Sequence, residues 1–397
     1  MPHANILRGR GLSLALGVVL LALPLPAAHA QDALPDYVIE RFGEPPSVPE
    51  APLSDELAAA VRTVFVESVK GAGWGEAQRV ALNQIADSGD PRFAWLIADL
   101  MRFSAGGALD LSLTSAASRL LGISAPAANA WGVITDHLIA WDIPAPPGYL
   151  EAKRAIFTSI VPGWDRLFVD GDIDWRHVSW GGVLIDDRPF NTTIAPCNCI
   201  PATDNPEVQG AADATWLKDE DIVFGVTING ESRAYPRRIM EVREMVNDTL
   251  GGRDIGMPYC TLCGAAQAYY TDEMPEGVER PVLRTSGLLI RSNKVMYDIT
   301  TQSVLDTFTG KAVTGPLHER GIALKPVSVV TTSWGAWKAA RPETTVLVEA
   351  LALGRDFDFR NGRDANGPIF PVGDVDPRLP VHEDVIGVVA PSGMLSV

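Results

Sequence analysis

The apolar residues of this chain change their period once, near residue 162, and that change constrains the fold more than any single motif. Before it, Leu57, Val61, Phe65 and Val69 fall on one stripe, opened by Ser54 as a cap with Asp55 and Glu56 in the first turn. That is the pattern of an amphipathic helix. A second helix is predicted over 76–86. Ser88-Gly89-Asp90-Pro91 then supplies a turn, a capping aspartate and a proline at the first helical position. The next helix presents Phe93, Leu96, Ile97, Leu100 and Met101 as one wide apolar face. Further helices are predicted over 109–121 and 127–140, with a short one after Pro147-Gly148. Beyond residue 162 the signals become those of strands and hairpins. Residues 221–228 and 231–235 flank the two-residue turn Asn229-Gly230. A short helix is expected over 237–246, strands over 266–271, 282–290, 295–298, 327–331 and 345–348, and a capped helix over 333–340. A segment at 383–388 echoes 220–226 and is expected to extend the same sheet. The chain therefore reads as α+β: a helical domain over 53–161, HEAT-like or a small bundle, a linker and entry segment over 162–194, and a β-rich domain over 195–397.

The N-terminus reads differently from both halves. Arg8 and Arg10 precede the apolar run 12–25, and Ala28-His29-Ala30 follows as a small-residue cleavage pattern, which predicts a signal peptide over 1–30 cut near Ala30. Residues 31–52, rich in proline and acid, are expected to form a tether. Removing the leader takes away two arginines and no acid, so the formal charge moves from −16 to −18. A surface this acidic repels phosphate backbones and anionic headgroups, which argues against nucleic acid and membrane docking, and no later segment is apolar for long enough for stable membrane insertion as a helix. The expected location is the periplasm or the exterior, where thiols become oxidised or metal-bound.

The four cysteines form two close pairs, Cys197-Asn198-Cys199 and Cys260-Thr261-Leu262-Cys263-Gly264. Three readings of them stay open. In the first, the 260/263 pair is a metal knuckle completed by Cys197 and Cys199, or by His177 or His318; thiolate softness suits zinc or cuprous copper. In the second, Cys260 and Cys263 exchange between dithiol and disulfide, with Cys260 exposed beside a cleft and Arg243 or Arg291 near enough to stabilise a thiolate. In the third, the cysteines are oxidised staples, as two bonded pairs or as one cross-linked cluster. A reading from another class makes the chain an extracytoplasmic binding module, in which the helical half engages a protein partner. The β-rich half would then hold a small ligand among Tyr235, Asn247, Asp248, Asn293, Tyr297 and Asp298. Turn chemistry alone also explains asparagine and aspartate at strand ends. No Gly-X-Ser-X-Gly elbow, His-Glu-X-X-His or phosphate loop occurs, which weighs against a hydrolase and leaves only a carboxylate pair distant in sequence as a route to one.

The order of motifs in the β-rich half carries a resemblance. Residues 221–226 lead into Asn229-Gly230-Glu231 and Arg233-Ala234-Tyr235-Pro236, then Val246-Asn247-Asp248 and the Tyr259–Gly264 stretch. Ser286-Gly287-Leu288-Leu289, 292–298, Thr331–Gly335 and Arg341-Pro342 close the series. Over about residues 195–390 this resembles the DUF3179 family of exported bacterial proteins. The resemblance implies that Cys260 and Cys263 belong to the family pattern and that Cys197 and Cys199 are an addition. It supplies positions and no reaction. Similar sequences often carry a histidine where Arg243 stands and a proline where Thr261 stands.

Overall fold

The computed structural model describes residues from 34 onward, apart from 105, 193–196, 350–366, 382, 384, 386–387, 390–394 and 397. The expected leader therefore lies outside the described residues, as does half of the 383–388 echo. Where that echo is described, residues Val388–Val389 pair with Leu395–Ser396 in a two-stranded ladder of their own.

Among the described residues seven α-helices come first: α1 Asp36–Phe42, α2 Asp55–Arg62, α3 Glu76–Asp87, α4 Ala94–Met101, α5 Ala108–Leu121, α6 Ala130–Ala140 and α7 Tyr149–Ile160. Ser54 caps α2, its side chain accepting from the Leu57 amide at 3.2 Å, and Asp90 caps the turn before α4. Helix α4 is buried on every side, with α5, α6 and α7 packed around it. The expected tether instead contains α1, because Val38 and Phe42 are buried and Gly43 accepts a hydrogen bond from the Trp141 indole at 2.9 Å.

The strands are β1 Val178–Trp180, β2 Thr203–Asp204, β3 Glu207–Gly210, β4 Ile222–Ile228, β5 Glu231–Pro236, β6 Met245–Leu250, β7 Arg253–Cys260, β8 Ala265–Ala266, β9 Ala268–Tyr270, β10 Leu283–Ile290, β11 Asn293–Asp298, β12 Val304–Asp306, β13 Lys325–Val327, β14 Val330–Ser333 and β15 Thr345–Val348. Helices α8 Arg237–Arg243, α9 Gly315–Glu319 and α10 Trp334–Ala340 lie between them. Three sheets result, with strand orders β1-β10-β11-β12, β13-β9-β7-β6-β2 and β14-β4-β5-β15-β3. The helix expected over 237–246 ends at Arg243, and residues 245–260 are the antiparallel pair β6 and β7, joined by a tight turn at Gly251-Gly252.

Strand alternation decides what each face of β7 meets. Ile255, Met257 and Tyr259 pack with Phe224, Val226 and Tyr235 of β4 and β5. Each such fully buried side chain stabilises by roughly 1.5–3 kcal/mol. The opposite face of this middle sheet carries Met245 and Tyr269 against Leu283, Met296 and Leu305. Gly256 points that way, and a Cβ there would stand 2.5 Å from Leu283 Cδ1, so the close approach of β10 requires glycine. Cys260 has the same parity as Gly256. It therefore faces β11.

The segment 162–194, expected as a linker, joins the halves instead. Its strand β1 pairs with β10, and the Trp164 indole donates to the Ser286 carbonyl at 2.7 Å. Arg102 reaches from the helical side to the Trp180 carbonyl at 2.8 Å, with its guanidinium over the rings of Trp131, Trp180 and Phe370. Residues Asp36–Val397 accordingly form one compact unit. No helix among the described residues is long and apolar enough to cross a membrane.

Candidate functional site

Cys260 is the last residue of β7 and Cys263 lies in the turn that follows. The turn closes on itself, the Cys263 and Gly264 amides donating to the Cys260 carbonyl at 3.2 and 2.8 Å, with Gly264 at φ 69°. This brings the two sulfurs to 2.7 Å, with no disulfide between them. Only a small movement separates that from a bond of about 2.05 Å. The pair ends a strand and opens no helix, so its thiols do not stand at a helix N-terminus.

The other wall is the turn between β10 and β11. Ile290 pairs with Asn293, leaving Arg291-Ser292 as a two-residue loop whose first member has φ 52°, a conformation usually given to glycine. That strained turn sets the Ser292 carbonyl 3.7 Å and Asn293 Oδ1 3.4 Å from Cys263 Sγ. Burial pushes the Cys260 thiol up, and Glu244 adds to this. Hydrogen bonds from Cys263 and from the backbone amides of Lys294 and Cys263 outweigh both and leave the thiol below its ordinary range.

Lys294 lies under the pair, almost wholly buried. It donates to the Glu244 carbonyl oxygen and stands 3.8 Å from the Glu244 carboxylate. Glu244 itself terminates α8 in the left-handed region at φ 52°. Burial pulls the Lys294 amine down to about 8, against the raising effects of Glu244, Cys260 and Asp186. Neither Lys294 nor Glu244 was among the expected site residues. The available signal was a lysine inside the apolar strand Lys-Val-Met-Tyr.

This shift has a measurable consequence. Between about pH 8 and the ordinary lysine range the unfolded chain holds a proton at this position that the folded chain lacks, so stability rises with pH there. At about 1.4 kcal/mol per unit, a gain of about 2 kcal/mol is expected between about pH 7.5 and 9.5. Denaturant unfolding of a Lys294→Met variant should show that gain lost; equal slopes in both proteins would refute the assignment.

Two clefts flank the dithiol. One, of about 330 Å³, is lined by Cys263, Leu262, Arg291 and Ser292 and closed by Asp374 and Glu383 of the C-terminal segment. Cys263 is partly exposed while Cys260 is buried, so the accessible sulfur is the second of the pair and not the expected first. The other cleft, of about 250 Å³, is largely apolar and contains Lys294, Glu244, Thr261 and Leu262.

The remaining expected residues are placed as follows. Cys197 and Cys199 are bonded to each other, with Cα atoms 5.1 Å apart, and are not free to complete a four-thiolate set. Among the described residues no group of three or more His, Cys, Asp or Glu side chains is placed to hold a metal ion. Two thiols beside a carbonyl and an amide oxygen fall short of a tetrahedral zinc site. His177 packs edge-on to Trp95, its imidazole held down by burial, and His318 contacts the Ala312 carbonyl at 3.2 Å. Asn293 alone of the six ligand candidates touches the dithiol. Tyr235 donates to Asp248 at 2.7 Å, and Arg233 reaches the same carboxylate at 2.6 Å. Asn247 ties Asp204 to the Leu283 backbone, Tyr297 donates to the Asp186 carbonyl, and Asp298 caps the turn at Thr300 and Thr301. Arg291 lines the cleft of Cys263, whereas Arg243 is engaged with Glu349 at 3.1 Å.

No curated protein and no solved structure matches the chain. One family model does, described as a protein of unknown function, DUF3179, over residues 197–396. It takes in the dithiol, the strained turn above it and the lysine beneath. On that match, the chain belongs to the DUF3179 family.

Proposed function

We propose that this is an exported thiol–disulfide exchange protein working through Cys263 and Cys260. The observation that carries the reading is a pair of thiols 2.7 Å apart and not joined by a disulfide, one buried and one bordering a cleft. The Cys263 thiolate attacks one sulfur of a substrate disulfide and releases the other as thiolate, forming a mixed disulfide. Cys260 then attacks Cys263 Sγ, which closes the 260–263 bond and releases the second substrate thiolate. The dithiol loses two electrons and the substrate disulfide gains them; the two thiol protons pass to the released thiolates. Lowering of the Cys260 thiol raises the fraction ready for the second attack. The Cys197–Cys199 bond agrees with an oxidising compartment.

Cysteine alkylation and mass mapping in a redox buffer test this. Wild type should show one two-electron transition confined to 260 and 263. With glutathione disulfide, a Cys260→Ser variant should accumulate a mixed disulfide at Cys263, and a Cys263→Ser variant should not react at Cys260. Inert thiols in the folded protein would overturn the proposal. So would near-stoichiometric zinc or copper in purified protein that the Cys263→Ser change removes.

A further inference from the structure

The apolar cleft has a polar floor that the thiol reading does not use. Its walls include Ile200, Leu288, Leu289 and Phe370, and its floor holds Lys294, Glu244, Thr261 and Thr285. Lys294 and both threonines are at least nine-tenths buried. The Thr261 and Thr285 hydroxyl oxygens have no hydrogen-bond partner among the described residues. Buried hydroxyls are nearly always satisfied, so two unsatisfied ones lining a single cleft indicate a missing polar partner.

Charge narrows what that partner is. The Lys294 amine and Glu244 carboxylate, 3.8 Å apart, offset one another. A charged occupant would leave a net charge among apolar walls, which is costly, whereas a neutral one would not. Amine and hydroxyl donors suit an oxygen acceptor. We propose that this cleft takes a small, uncharged, largely apolar aldehyde or ketone and that Lys294 condenses with its carbonyl carbon.

The Nζ lone pair forms the C–N bond while the carbonyl pair moves to oxygen, which takes the proton that nitrogen releases. Loss of that hydroxyl as water, together with the remaining proton of the nitrogen, leaves the neutral C=N bond, so the step needs no oxidant or reductant. The Glu244 carboxylate is close enough to carry the proton between nitrogen and oxygen. Burial supports the assignment, since an amine brought down to about 8 is partly unprotonated near neutral pH.

The test uses hexanal with borohydride trapping of the imine, followed by peptide mapping of the intact protein near pH 8. Wild type should carry the hexyl group on Lys294 at least tenfold above the exposed Lys311 and Lys325. A Thr285→Val variant should lower that labelling severalfold while leaving the surface lysines unchanged. Glyoxylate, small but charged, should label surface lysines and spare Lys294. The proposal falls if hexanal shows no preference for Lys294, or if glyoxylate labels it equally. Running the same labelling on Cys263→Ser protein keeps the outcome separate from the thiol reading.

Discussion

Replacing Lys153 by methionine is expected to destabilise the protein by about 3–5 kcal/mol, the range for removing one partner of a buried ion pair. Lys153 has no exposed surface. Its amine donates to Asp99 at 2.6 Å, to the Val178 carbonyl at 2.6 Å and interacts with the Tyr149 hydroxyl at 3.0 Å. Burial drives Asp99 up and Lys153 down, each partly opposed by the other. The single substitution leaves Asp99 with only the tyrosine and frees a carbonyl of β1, the strand that ties helices to sheet. An Asp99→Leu, Lys153→Met double variant should recover much of the loss, because a packed apolar pair avoids desolvation altogether. Equilibrium urea unfolding of the three proteins measures this. A single-variant loss below about 1 kcal/mol would refute the argument.

Gly287→Ala should cost about 3 kcal/mol or more. Gly287 sits at φ +78° within the irregularity that shifts the β10 register between Thr285 and Leu289. An added Cβ would fall well inside van der Waals contact of the Val183 carbonyl oxygen and 3.1 Å from the Leu184 carbonyl carbon. Left-handed backbone costs a substituted residue roughly 1–2 kcal/mol, and collision with immobile main chain adds roughly 1–3 kcal/mol. Gly230→Ala is the control: φ is +86° but nothing lies within 4 Å, so only the first cost applies. Equal losses in the two variants would show that packing around Gly287 does not matter.

Local signals were legible where chain chemistry and tertiary context agree. The Asn229-Gly230 turn, the Ser54, Asp90 and Ser333 caps and the strand Thr345–Val348 all stand where the residues place them. Strands β6 and β7 were not legible. Asn247, Asp248, Gly256 and Pro258 are poor strand formers, and only partners distant in sequence make them tolerable there. Asp204 and Leu283 satisfy Asn247, Arg233 satisfies Asp248, and the proximity of β10 demands Gly256. The CxxC pair was visible as a motif, but which sulfur is accessible depends on strand parity and on the turn at Arg291. The metal reading needed Cys197 and Cys199 to reach the other two sulfurs; they bond to each other instead, as the staple reading allowed for this pair, their Cα atoms being 5.1 Å apart.

The C-terminal segment walls both clefts, and among its described residues from 367 to 385 none lies in a strand. Asp136 of α6 accepts the Val372 and Gly373 amides at 3.0 and 2.9 Å, and Tyr37 of α1 reaches Asp374 at 3.4 Å. Asp374 also stands 3.8 Å from Arg291, in the turn beside the dithiol. The strap thus bridges helices and hairpin like a hasp, so a displacement of α6 would be passed to the rim of the cleft beside Cys263.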